Sequence, residues 1–202
     1  MTKTKLHISV LYFMLLMTIT TIGFLVLQKP EAIAKANNLN NDNRVFFWEI
    51  YPELVVPNSG KTIDKSIKVK DLNGNDISIG ELSSNVPYLT FRYSQYDCHL
   101  CIDQVLEKLK IFFEGNEHQV CLMVDGVTAR DFKIKYKNRD IRFPVYFFVR
   151  DNLGLSLENK SLPFLFVMDR DPLKVDNIFV PFREHPDQTD AYLKNIRGLL
   201  ND

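Results

Sequence analysis

The stretch Tyr96-Asp97-Cys98-His99-Leu100-Cys101-Ile102 decides how this chain reads. Two cysteines stand three positions apart, and the periodicity of the sequence changes across them. After Cys101, the apolar residues Ile102, Val105, Leu106, Leu109, Phe112 and Phe113 recur at steps of three and four, which marks one face of an amphipathic helix. Before Cys98, Tyr88-Leu89-Thr90-Phe91-Arg92-Tyr93 is rich in strand formers. A dithiol at such a strand-to-helix junction puts its first sulfur among unpaired backbone N–H groups, at the positive end of the helix dipole. Both features favour thiolate over thiol.

Working outward, the flanks alternate strands with helices. Ile67 and Val69, then Ile77 and Ile79, alternate around Asp71-Leu72-Asn73-Gly74-Asn75, whose Asn-Gly pair predicts a tight hairpin turn. On the other side, the helix stops at Gly115-Asn116, and residues 119–124 read as a buried strand. A helix over 128–136 follows, with Thr128 and Asp131 in capping positions. Residues 144–149 and 164–169 read as strands, and the second pairs with 175–180 as an antiparallel hairpin. The last helix, over about 186–200, presents Tyr192, Leu193, Ile196, Leu199 and Leu200 on one face. This order predicts an α/β domain with a central sheet covered on both faces.

Residues 6–27 form an unbroken apolar run behind Lys3 and Lys5. As a helix it would extend about 33 Å, enough to cross a hydrocarbon core. That length exceeds the roughly 7–15 residues usual for a signal-peptide core and favours an uncleaved transmembrane anchor behind a stub of residues 1–5. The small-residue patterns Ala32-Ile33-Ala34 and Ala34-Lys35-Ala36 support the rival reading, a cleaved leader. Either way the globular part, residues 45–202, is expected on the extracytoplasmic (periplasmic-type) side, where disulfides persist. Residues 28–44, polar and rich in Asn, read as a flexible linker. The aromatic cluster over 45–51, with the single Trp, reads as a segment packing on the core.

Formal charge balances at zero across the chain, so neither nucleic acid nor an acidic surface is implied. Three cysteines cannot build a disulfide framework, and the fold must stand on packing. Cys98, His99 and Cys101 offer three zinc ligands where structural zinc takes four, and Ile102 stands where a c-type haem site needs His. No metal and no cofactor is therefore expected. Cys121, inside the apolar run Val120-Cys121-Leu122-Met123, reads as a buried structural thiol.

These residues together resemble the thioredoxin-like superfamily, and especially its membrane-anchored, exported thiol-disulfide oxidoreductases in the redoxin (alkyl-hydroperoxide-reductase-like) branch. The strand-Cys98-x-x-Cys101-helix order carries the resemblance, with Leu162-Pro163-Phe164-Leu165-Phe166-Val167-Met168-Asp169 and the hairpin around Asp71-Leu72-Asn73-Gly74. It covers roughly residues 66–200 and implies a three-layer α/β/α sandwich with a central mixed sheet. It implies that Cys98 is the nucleophile, that Cys101 resolves the mixed disulfide, and that Pro163 is a cis-proline beside them. The partners implied are protein thiols and disulfides and an electron donor, with membrane contact through 6–27. This chain departs from the family at Asp97, where Trp is usual, and at Leu162; no buried acid stands out as proton acceptor for Cys101. The Asp97 carboxylate should oppose a Cys98 thiolate, whereas His99, when protonated, should favour it. A peroxidase would need Thr or Ser at position 95, which is Gln95. The alternative to an enzyme is a redox-inert thioredoxin-like binding or assembly module at the membrane surface.

Overall fold

The computed structural model describes Met14, Met17 and residues 51–82, 87–149, 152–169 and 172–201. The chain divides into two compact units, Met1–Pro52 and Glu53–Asp202. Of the first, Met14 and Met17 are helical and exposed. The expected span over 6–27 otherwise lies outside the described residues, as do the expected linker over 28–44 and the aromatic cluster up to residue 50. Among the described residues, no helix is long and apolar enough to cross a membrane.

The second unit is built on a seven-stranded mixed sheet in the order β2-β1-β5-β4-β3-β6-β7. Its strands are β1 (Lys68–Lys70), β2 (Asp76–Ser78), β3 (Tyr88–Ser94), β4 (Val120–Asp125), β5 (Val145–Phe148), β6 (Phe164–Met168) and β7 (Val175–Phe179). The helices are α1 (Tyr51–Val55), α2 (Ile79–Leu82), α3 (His99–Phe112), α4 (Ala129–Lys135) and α5 (Pro186–Asn201). Strands β3, β4 and β5 run parallel; β6 runs antiparallel to β3, and β1 antiparallel to β5. The mixed sheet read from the sequence is therefore present.

Every residue of β3 is buried, because both edges are paired and both faces are covered. Successive side chains of a strand point to opposite faces. Tyr93 points to the side of α3 and α4, where Tyr136 and Asp103 lie near its hydroxyl. Helix α5 joins that side by packing on α3, with Lys108 of α3 paired to Asp190 of α5. Arg92 points the other way, to Glu158. That second face is crossed by two 3-10 turns, Val56–Asn58 and Ser156–Lys160, where a full helical layer was expected. The fully buried Asn58 locks them together. Its Oδ1 accepts the Ser156 N–H at 2.7 Å, and its Nδ2 donates to Ser156 Oγ at 2.9 Å and to the Leu54 carbonyl at 2.8 Å.

Local chemistry explains where the elements stop. Thr128 caps α4 by accepting the Asp131 N–H at 3.1 Å, as the capping pattern predicts. The Asn-Gly turn is wider than a tight turn. Asp71 N–H donates to Asn75 O at 3.0 Å, which leaves three residues in the loop, and Asp71 Oδ1 takes the N–H groups of Asn73 and Asn75. Gly74 supplies the positive φ of 88° that this loop needs. Ile79, read as strand, opens α2, because the Glu81 carboxylate reaches back to the Ser78 N–H at 3.2 Å. On α3, Ile102, Val105, Leu106 and Leu109 are buried as predicted, with Phe113 just beyond its end, whereas Phe112 is only half-buried. On α5, Leu199 faces solvent at 52 % exposure, and Thr189 takes an inward place the apolar pattern did not mark.

The Arg92–Glu158 pair has side-chain exposures of 3 % and 2 %, with Arg92 Nε donating to Glu158 Oε1 at 3.1 Å. Removing one partner of a buried pair strands the other, at a cost of about 3–5 kcal/mol. Asp125, at 3.4 Å from Arg92 but half exposed, compensates in part. Glu158→Gln should lower the urea unfolding free energy by about 3 kcal/mol at pH 7; a loss under about 1 kcal/mol would show that the pair carries little of the fold.

Candidate active site

Strand β3 ends at Ser94 and α3 begins at His99, so the four residues Gln95–Cys98 form the whole connection. Cys98 is the N-cap of α3. Its Sγ accepts the Cys101 N–H at 3.3 Å, and its carbonyl accepts the Ile102 N–H at 3.0 Å. The first sulfur thus occupies the position predicted, on the N–H groups that the first helical turn leaves unpaired. Cys98 and Cys101 are joined as a disulfide with Cα atoms 5.3 Å apart. Cys98 is exposed, and Cys101 is buried at 8 % exposure. One sulfur meets partners and the other is held behind it.

Asp97 does not lie open beside Cys98. It is 5 % exposed, and its Oδ2 accepts the Ser94 N–H at 2.7 Å while its own N–H donates to Ser94 O at 3.2 Å. This reciprocal pair closes the connection onto the end of β3. Burial pushes the Asp97 carboxyl above its ordinary value of 3.8, while the Ser94 N–H and the Arg92 charge favour the ionised form and Asp125 opposes it. Asp97 is thus a buried acid directly beside Cys98, bonded to the end of β3.

Pro163 is buried just before β6. Arg92 pairs with Phe164 in the β3–β6 register, so Pro163 stands one step further along, opposite Tyr93 at the end of β3 that carries the dithiol connection. The resemblance placed Pro163 at this end of the sheet. His99 is exposed as the first residue of α3. Tyr96, 78 % exposed, and Leu100, 59 % exposed, flank Cys98 with apolar surface. Cys121 is buried in β4, 3.5 Å from Thr90 Oγ1, and burial pushes its thiol up to about 12.

The sequence reading missed the charges beneath the connection. Arg92 bonds Glu158 and Asp125 and lies over the Phe148 ring at 5.7 Å. An arginine in an otherwise apolar strand signals a buried counter-charge. Its partner, 66 residues away, had no local signal. Among the described residues, no cluster of His, Cys, Asp and Glu could hold a metal ion.

A central mixed sheet with a Cys98–Cys101 disulfide at the N-terminus of its first crossover helix defines a thioredoxin-like fold. The chain is similar to the solution structure of a thiol:disulfide interchange protein from Bacteroides sp., at 14 % identity over 71 % of this chain and 91 % of that one, with a TM-score of 0.51. That likeness shows the fold. Other similar structures are an uncharacterized thioredoxin-like protein from Porphyromonas gingivalis (15 % identity, 70 % of this chain and 95 % of that one, TM-score 0.49) and peroxidoxin BcpB from Mycobacterium tuberculosis (18 %, 69 % and 97 %, TM-score 0.47). No family model and no curated protein matches the chain.

Because the folded Asp97 carboxyl binds its proton more tightly than the unfolded one, its contribution to stability is full below pH 3.8 and is lost as pH rises through the raised value. Asp97→Asn keeps an acceptor for the Ser94 N–H and removes the charge. The variant should lose this pH dependence, gain relative stability at pH 7, and shift the Cys98 alkylation profile to lower pH. Unchanged profiles for both stability and alkylation would show that Asp97 carries no charge felt at Cys98.

Proposed function

We propose that this chain is a thiol-disulfide oxidoreductase that acts on exported proteins through Cys98 and Cys101. The observation that carries this reading is the asymmetric dithiol: an exposed Cys98 Sγ accepting the Cys101 N–H at a helix N-terminus, and a buried Cys101 one turn behind it. In the reduced form, the Cys98 thiolate attacks a client disulfide, forming a mixed disulfide and releasing one client thiolate. The Cys101 thiolate then attacks Cys98 Sγ, releasing the second client thiol and closing the Cys98–Cys101 bond. With Cα atoms 5.3 Å apart, within the range that disulfides span, the ring closes without moving the backbone. Tyr96 and Leu100 offer an apolar collar to an unfolded client segment, and Pro163 lies where an extended segment would pass the sheet end.

Residues 6–27 anchor the domain to a membrane and leave it on the extracytoplasmic side. The length and apolarity of that run support this placement, and an electron donor then re-reduces the disulfide. His99 supports the reaction as the cation-capable group next to Cys98.

Equilibrating the protein with a glutathione series and quantifying Cys98 alkylation gives the potential of the couple. A midpoint near −270 mV marks a reductant and one near −120 mV an oxidant, both about the values of known dithiols. Cys101→Ser should accumulate mixed disulfides at Cys98, and Cys98→Ser should accumulate none. A couple that does not titrate in this range, with no trapped partner, would identify the domain as the redox-inert module.

A further inference from the structure

Beside the dithiol lies a cavity of about 360 Å³ that the exchange reaction so far leaves unused. It is bounded by both ends of the dithiol connection, Ser94–Gln95 on one side and His99 with Ile102 on the other, and by Phe132, Lys135 and Tyr136 of the α4 region. Its size suits a small molecule and not a folded client. Two buried phenols line it, Tyr93 at 2 % and Tyr136 at 6 % exposure; their hydroxyls lie near each other, and neither makes a hydrogen bond within 3.5 Å among the described residues. A buried hydroxyl left unpaired costs stability, of the order that a ligand oxygen would restore by accepting from it. Burial, the Tyr136 hydroxyl and the Asp103 carboxylate hold the Tyr93 phenol protonated, so it is available as a donor.

Around these hydroxyls the wall is rich in donors. The Lys135 ammonium lies 5.2 Å from the Tyr136 ring centroid, and His99 stands at the mouth next to Cys98. The carboxylate at the rim, Asp131, is engaged by the Thr128 hydroxyl at 2.7 Å, and Asp103 is paired with Arg139. Gly126 shapes the remaining wall. A Cβ there would come within 2.8 Å of Gln95 Nε2, so only glycine, at its φ of 70°, lets the Gln95 side chain lie against the backbone.

The geometry points to this cavity as a subsite for the carboxylate of a low-molecular-weight thiol, the species that re-reduces the Cys98–Cys101 disulfide. The inference rests on the exchange reading above and names its electron donor by chemical class. The donor's thiolate attacks the exposed Cys98 Sγ and breaks the Cys98–Cys101 bond. Cys101 leaves as a thiolate and takes a proton, and Cys98 is joined to the donor. A second donor thiolate attacks the donor sulfur of that mixed disulfide and releases Cys98. Two thiols are oxidised to one disulfide as one protein disulfide is reduced to a dithiol.

The test uses the full chain, oxidised, with 3-mercaptopropionate and 2-mercaptoethanol as probes. Alkylation and mass analysis follow reduction, and each rate is divided by the same thiol's rate with a small neutral disulfide, which removes differences in nucleophilicity. The chain has zero formal net charge, so long-range attraction does not create a preference. The subsite predicts about a ten-fold preference for the carboxylate thiol, the worth of one good hydrogen bond to a charged group. Tyr136→Phe and Lys135→Gln should each reduce it toward unity, and propionate should compete. Tyr136→Phe keeps the ring and removes a hydroxyl that makes no hydrogen bond within 3.5 Å, so the variant should stay folded. Equal normalised rates would overturn the subsite and leave the exchange reading standing. If neither thiol reduces the disulfide, the exchange reading falls and the subsite with it.

Discussion

An arginine inside a strand that is buried along its whole length is the constraint from which the rest of this domain follows. Arg92 cannot reach water, so the fold must bring it counter-charges and a polarisable surface. Glu158, Asp125 and the Phe148 ring supply them. To place Glu158 there, residues 152–160 must cross the sheet face opposite α3, and Asn58 holds them by three hydrogen bonds to Ser156. The same segment then turns at Ser161, in the left-handed region with φ of 52°, and enters β6 through Pro163. The neutralisation of one charge thus also delivers the proline to the end of β3.

At that end, backbone and side chain divide the labour. The last N–H of β3 is taken by Asp97, which ties down the connection, while the first N–H groups of α3 point at Cys98. Asp97 therefore does two opposed things. Its hydrogen bonds fix the dithiol in place, and its charge, when present, disfavours thiolate at the neighbouring sulfur. The helix N-terminus works in the other direction. The poise of the couple is a balance between these terms and the Arg92 charge beneath them.

The periodic features of this domain were legible in the sequence and the long-range ones were not. The helical face of α3, the strand alternation of the first hairpin and the Thr128 cap rest on neighbours a few residues apart, where the residue pattern states the physics directly. The dithiol could be placed at its junction for the same reason. The Arg92–Glu158 pair, the Asn58–Ser156 lock and the Tyr93–Tyr136 approach join residues separated by tens of positions, and each residue alone has ordinary local preferences. Asp97 was visible as a carboxylate beside Cys98, but nothing in its immediate neighbours showed that it would be buried and bonded to the Ser94 N–H. Leu199 was placed on the inner face by its spacing yet faces solvent, while Thr189, which the apolar pattern did not mark, is buried.

The burial of Cys121 bears on how faithfully the reduced chain can reoxidise. Three thiols could in principle close three different rings. Cys121, enclosed in β4 with its thiol pushed up to about 12, is almost wholly protonated near neutral pH and out of reach of solvent. Of the possible pairings, only Cys98 with Cys101 is then open to an oxidant while the domain stays folded. The sheet itself acts as the proofreader of its own disulfide.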